Sequence, residues 1–112
     1  MVDITFKTFT LRKAIAAATI KTSAISTVEA VKNGTVPKGN VLEFARASAL
    51  LAIKKTSDVI PDCHPLPVEF AAINYEMSGL DINITVEVHT IYKTGVEVEA
   101  MHGASVAALV IY

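Results

Sequence analysis

Apolar and polar residues alternate without a break along 81-DINITVEVHTIY-92. Ile82, Ile84, Val86 and Val88 fall on one side, and Asn83, Thr85, Glu87 and His89 on the other. A period of two over this length predicts a half-buried strand. The segment 68-VEFAAINYEM-77 comes before it, and Ser78-Gly79 between them reads as a turn, so the two runs form an antiparallel hairpin. Two other stretches follow the helical period. From Val41 to about Asp58 the chain is apolar almost all round, behind Asn40 as N-cap and Glu43 three residues on. Such a helix packs on more than one side. The run 96-VEVEAMHGASVAALVIY-112 reads as a second long apolar helix with a soft spot at Gly103. Nearer the start, residues 2–6 suggest a short extended segment. Thr10 is placed to cap a helix to about Ala18, with Leu11, Ile15 and Ala18 on one face. Ser26 and Glu29 form a capping box for a short helix that Asn33-Gly34 ends.

The order is a weak strand, small helices, a long helix, two strands and a long helix. This predicts one α+β domain over residues 1–112, a ferredoxin-like antiparallel sheet packed against two long helices. The last strand of the βαββαβ pattern is missing. The chain stops at Ile111-Tyr112 inside an apolar run with no closing glycine. Uncapped helix carbonyls there imply that the natural chain continues past Tyr112.

Composition adds to this picture. The chain is 52% hydrophobic, with a mean hydropathy of +0.46. Either apolar surface is buried against other copies or the core is well filled. The net charge of −1 gives no field that draws the chain to nucleic acid or anionic lipid. The single cysteine cannot close an internal disulfide and fits a reducing compartment. No leader and no long apolar run is present, so a cytoplasmic protein without a membrane partner is expected.

The chemistry starts at 60-IPDCHPLPV-68. Pro61, Pro65 and Pro67 bracket Cys63-His64. His64 precedes a proline, so its backbone is biased to extended geometry. That holds an imidazole for a ligand, or simply connects a helix to a strand. A metal site is poorly supported, because no spaced second Cys or His pair accompanies it. A Cys-His nucleophile pair is weak, since sequence neighbours point apart. Among the cations, Lys38 sits in a Pro-Lys-Gly turn, and Arg46, Lys54 and Lys55 lie on the long helix. At ~100° per residue, Lys54 lies about 80° from Arg46 and Lys55 about 180° away. Arg46 and Lys54 can serve one side, or Arg46 can pair with Glu43. Lys93-Thr94-Gly95 opens a helix and offers a phosphate seat. Glu97 and Glu99 share a face if that start is extended and diverge by about 200° if it is helical. They suit either proton transfer or the helix dipole. Together these residues describe a site for an anionic ligand.

MVDIT, LRKA, VPKGNVLEFARASALLAIKKTSDVIPDCHPLP and KTGVEVEAMHGASVAALVIY closely resemble the molybdenum cofactor biosynthesis protein C family, the cyclic pyranopterin monophosphate synthases. The resemblance runs from residue 1 to residue 112. It implies a ferredoxin-like fold assembled as a homohexamer, a trimer of dimers, with sites near subunit interfaces. It implies conversion of 3′,8-cyclo-7,8-dihydro-GTP into cyclic pyranopterin monophosphate with release of pyrophosphate. No metal or organic cofactor does redox work in that reaction; whether Mg2+ assists the phosphate step is open. On this resemblance Lys38, His64 and Lys54 are catalytic. Arg12, taken as the arginine of a first helix, binds the triphosphate. Cys63, Lys93, Glu97 and Glu99 contact the substrate, the two glutamates holding the guanine-derived ring. Asn40 stands where the family usually has Asp, and Lys55 where it usually has Arg. The family continues after its Ile-Tyr with an Asp-Met-x-Lys motif, whose Asp and Lys are catalytic, and a final strand. Both are absent here. Two alternatives stand beside the synthase: a ferredoxin-like module that binds a nucleotide or phosphate without turnover, and a purely structural assembly subunit.

Overall fold

The computed structural model describes residues 1–112. At its centre lies the alternating run, strand β3 (Asp81–Tyr92). Ile82, Ile84, Val86, Val88 and Thr90 are buried on one face, as the period of two requires. A hairpin joins β3 to β2 (Phe70–Ser78), with Ser78 opposite Asp81. The connection Gly79-Leu80 has Gly79 at φ +59°, the first central position that a II′-type turn reserves for glycine.

The other neighbour of β3 is β1 (Thr10–Lys21), antiparallel along its whole length from Thr10 opposite Tyr92 to Lys21 opposite Asp81. The helix expected from Thr10 to Ala18 is therefore a strand. Its inward positions are Arg12, Ala14, Ala16, Ala18 and Ile20, and Leu11 and Ile15 point outward and exposed. The alanine-rich run has high helix propensity, but pairing with β3 satisfies its backbone and overrides that preference. Residues 2–6 form a turn rather than a strand.

The strand order is β1-β3-β2. Between β1 and β2 the chain forms α1 (Ile25–Asn33), α2 (Val41–Lys54) and α3 (Thr56–Val59); α4 (Glu97–Ile111) follows β3. Gly34 ends α1 in the left-handed region at φ +69°. The Ser26–Glu29 capping box does not form, because α1 starts two residues earlier, behind Ala24. Asn40 caps α2 as expected, its side chain accepting from the Glu43 N–H at 3.2 Å. The long helix breaks at Lys55, φ −111° and ψ 13°, so α3 is a separate turn.

The helices α2 and α4 cover the inner face of the sheet. Their buried positions are mostly small: Ala45, Ala49 and Ala52 on α2, Ala100, Gly103, Ala104 and Ala107 on α4. Gly103 is a site of close approach rather than a soft spot. A Cβ there would lie 2.8 Å from Ile53 Cγ1 and 3.3 Å from Val86 Cγ1. The outer side of α2, with Phe44 and Leu51, is exposed in the single chain. No helix is long and apolar enough to cross a membrane.

Candidate active site

The turn 60–66, the loop 94–95 and the first turn of α4 enclose a cavity of about 250 Å³, closed on a third side by residues 2–7. Cys63, His64, Glu97 and Glu99 all line it. Four of the eight residues expected from sequence thus meet in one place, although they come from segments over 30 positions apart in the chain.

Each is positioned by its element. His64 follows the Ile60–Cys63 turn, closed by the Cys63 N–H donating to Ile60 O at 3.0 Å, and Pro65 restrains it from the other side. Its Nε2 lies 2.7 Å from the Val2 carbonyl. Glu99 sits in the first turn of α4 and is only 4% exposed. Burial pushes its carboxyl above the ordinary value, and the Glu97 charge adds to that. The Cys63 thiol is also pushed up, first by burial and then by the charges of Glu99 and Asp62. It stays a thiol, which suits contact with a ligand and not nucleophilic attack.

Glu97 and Glu99 lie in helical geometry, where they diverge, yet both reach the cavity. Glu97 does so by folding back over Gly95, where its carboxylate occupies the space a Cβ would take. This also answers the phosphate seat expected at Lys93-Thr94-Gly95. Thr94 and Gly95 line the cavity, but the two carboxylates already complement the helix N-terminus.

The expected cations do not line this cavity. Arg12 lies on β1 and not on a first helix; its Nη2 donates to Lys93 O at 3.4 Å, and its Nε is buried without a partner. Lys93 lies beside it, its ammonium 5.6 Å from the centre of the Phe9 ring. This pair flanks the cavity, one residue before Thr94. Lys54 is exposed in the last turn of α2, at the same end of the molecule. Lys38 is at the other end, donating to Val110 O at 3.4 Å. Glu97 and Val110 are thirteen helical positions apart, about 20 Å. Arg46 pairs with Glu43 at 3.2 Å, and Lys55 with Asp58 at 3.6 Å; both are surface ion pairs. No three His, Cys, Asp or Glu side chains group as a metal site would require.

Sequence patterns give no role to Val2, Ile4 and Lys7, which form one wall of the cavity. They are equally silent on a link behind the site. Thr56, 2% exposed, places its hydroxyl 3.0 Å from His102 Nδ1 and 3.1 Å from Ala52 O. That link joins the end of α2 to α4 one turn past Glu99. Neither feature has a local signal, since each is made by contact between distant segments.

A three-stranded antiparallel sheet with its helices on one face, and an imidazole and a buried carboxyl sharing a cavity at the strand-to-helix corner, define a ferredoxin-like α+β domain equipped for acid–base chemistry. A sequence model of the MoaC family matches residues 1–112, and the chain belongs to that family. It is 44% identical over 114 residues to the cyclic pyranopterin monophosphate synthase of Clostridium perfringens, covering 100% of this chain and 72% of that protein. It is 45% identical over 112 residues to a probable cyclic pyranopterin monophosphate synthase of Methanococcoides burtonii, covering 100% of this chain and 70% of the relative. It is also 45% identical over 112 residues to cyclic pyranopterin monophosphate synthase 2 of Mycobacterium tuberculosis, covering 100% and 66%.

Proposed function

We propose that the protein is a cyclic pyranopterin monophosphate synthase of molybdenum cofactor biosynthesis, converting 3′,8-cyclo-7,8-dihydro-GTP into cyclic pyranopterin monophosphate and pyrophosphate. The observation that carries this reading is the convergence of His64 and Glu99 in one cavity of a MoaC-family chain. The conversion rearranges the ring system, then closes a cyclic phosphate. An oxygen of the substrate attacks the α-phosphorus, the bond to the bridging oxygen breaks, and pyrophosphate leaves. No electrons are gained or lost, so the chemistry needs proton transfer and charge neutralisation and no redox cofactor.

The residues divide accordingly. Burial keeps a proton on Glu99 to a higher pH than an exposed carboxyl would, which suits a general acid or a donor to the ring. His64 supplies the complementary base. Glu97, exposed beside it, holds the guanine-derived ring with Cys63. Arg12 and Lys93 at the rim take the phosphates. Lys54 lies at the same end of the molecule. Lys38 is about 20 Å from the cavity within one chain, so a lysine of a second copy serves each site. The distance asks only for a second copy; the homohexamer, a trimer of dimers, is what the family resemblance implies, with the exposed Phe44, Leu51 and Leu109 available to be covered. The free Cys63 thiol fits a cytoplasmic enzyme. Mg2+ can accompany the phosphates without a protein site of its own.

The experiment is to supply the purified protein with 3′,8-cyclo-7,8-dihydro-GTP and follow pyrophosphate. Turnover is expected, with the same product after EDTA treatment. Saturable binding of the nucleotide without pyrophosphate would replace the synthase by a binding module.

A further inference from the structure

We propose that the N-terminal arm, residues 1–7, sets which nitrogen of His64 works: the Val2 carbonyl holds Nε2 as an N–H, so protons come and go at Nδ1. This rests on reading the cavity as the active site.

His64 Nε2 is 2.7 Å from the Val2 carbonyl oxygen. A carbonyl only accepts, so at this distance Nε2 carries the hydrogen. A neutral imidazole has one N–H, so its lone pair is then on Nδ1. No protein group is hydrogen-bonded to Nδ1, whereas Nε2 is occupied. Protonation of the ring adds a second N–H at Nδ1 and leaves the Val2 bond intact. The same contact therefore serves both states of an acid–base cycle, and only Nδ1 changes. This is the role that a partner on the second nitrogen commonly plays for a working histidine.

The arm is built to present that carbonyl. Asp3 Oδ1 accepts from the Thr5 N–H at 2.9 Å and from the Thr5 hydroxyl at 2.8 Å, which turns the chain back. The Lys7 N–H donates to Ile4 O at 3.1 Å. Ile4 is 9% exposed and stands apart from the main core cluster, so it anchors the arm and not the fold. The N-terminal ammonium lies 3.4 Å from Asp62, two residues before His64. Val2, Ile4 and Lys7 all line the cavity. The arm is thus a wall of the site and brings Lys7 as a cation to the cavity that Glu97 and Glu99 share. Val2 is a positioning residue through its backbone.

The test is nitrogen-15 NMR of the full chain with labelled histidine. The chain has three histidines, and His64→Gln identifies the His64 signals by their loss. In its neutral form His64 is expected almost wholly as the Nε2–H tautomer. An Nδ1–H ring, or an even mixture, would overturn the proposal. Ile4→Gly then loosens the arm. A mixed tautomer and a kcat lower by about tenfold, with KM little changed, are expected from lost orientation. If that variant does not fold, Asp3→Ala loosens the same arm from the Thr5 turn. A loosened arm with an unchanged tautomer, or a changed tautomer with unchanged kcat, would count against it. If the wild-type protein releases no pyrophosphate, the reaction and the role of Nδ1 fall together. An active protein with the wrong tautomer removes this inference alone.

Discussion

At its N-terminal end α4 meets a turn pinned by prolines and a folded-back arm, and itself contributes the buried carboxyl of Glu99. At its C-terminal end the same helix meets the ammonium of Lys38 and the apolar side chains of Val41 and Phe44, beside its own Leu109. The first end is the more polar and is supplied by three separate segments. The second is mostly apolar, and its one cation is held by a helix carbonyl, where the dipole favours it. The acid–base groups are thus gathered at one end, while the cations are divided between the two. Proton transfer needs groups within hydrogen-bond reach of the same atoms, so one chain gathers them. Phosphate neutralisation acts over longer distances and tolerates cations brought by another copy.

The strongest challenge to this contrast is at the polar end. His64→Ala is expected to reduce pyrophosphate release by about 10²-fold or more, the usual range for a general acid–base group. Lys38→Ala at the far end is expected to be comparably impaired. Mixing the two variants after dissociating and reassembling them should restore activity, because some sites then hold an intact histidine and an intact lysine from different chains. Full activity of Lys38→Ala alone would show that the two ends of α4 do not share a reaction.

The next effects concern the seam between the ends. Thr56→Val removes the hydroxyl that is hydrogen-bonded to His102 and Ala52 O and should lower stability by about 1–2 kcal/mol. Thr56→Ser should recover most of this in denaturant titrations. Gly103→Ala places a methyl 2.8 Å from Ile53 Cγ1. The overpacking costs about 1–3 kcal/mol against a helix-propensity gain of about 1. A net fall in melting temperature of about 5 °C is expected; a rise would mean that α2 can shift to make room.

The weakest effect is electrostatic. The folded-state value of Glu99 lies above its ordinary 4.5. Between those two values the folded chain keeps a proton that the unfolded chain has released, so this group loses stability as pH rises through that window. Above the window the penalty is fully present, and below it the penalty vanishes. Glu99→Gln should therefore melt higher than the parent at neutral pH, with the gap closing toward acid. A constant gap across pH would place the effect in packing instead.

How much of this the sequence carried differs between neighbouring strands. β3 was legible because a strict alternation of branched apolar and polar residues has only one reading. β1 was not, although it pairs with β3 residue for residue. Its alanines fit either period, and only the partner strand decides. The site shows the same division. Cys63, His64, Glu97 and Glu99 carry their chemistry in side chains, so the sequence alone displays them. The wall they face stays hidden there, because its working group at Val2 is a peptide carbonyl, which every residue possesses.

That carbonyl also governs how the chain can drift over time. A substitution at position 2 changes the side chain and leaves the oxygen where it was, proline included. Inserting or deleting one residue between Val2 and Ile4 shifts that oxygen by a full peptide step, about 3.8 Å, and offers the imidazole a neighbouring residue's carbonyl instead. The contact therefore asks little of which residue stands at position 2, and asks only that the Asp3–Thr5 turn aim some carbonyl at Nε2.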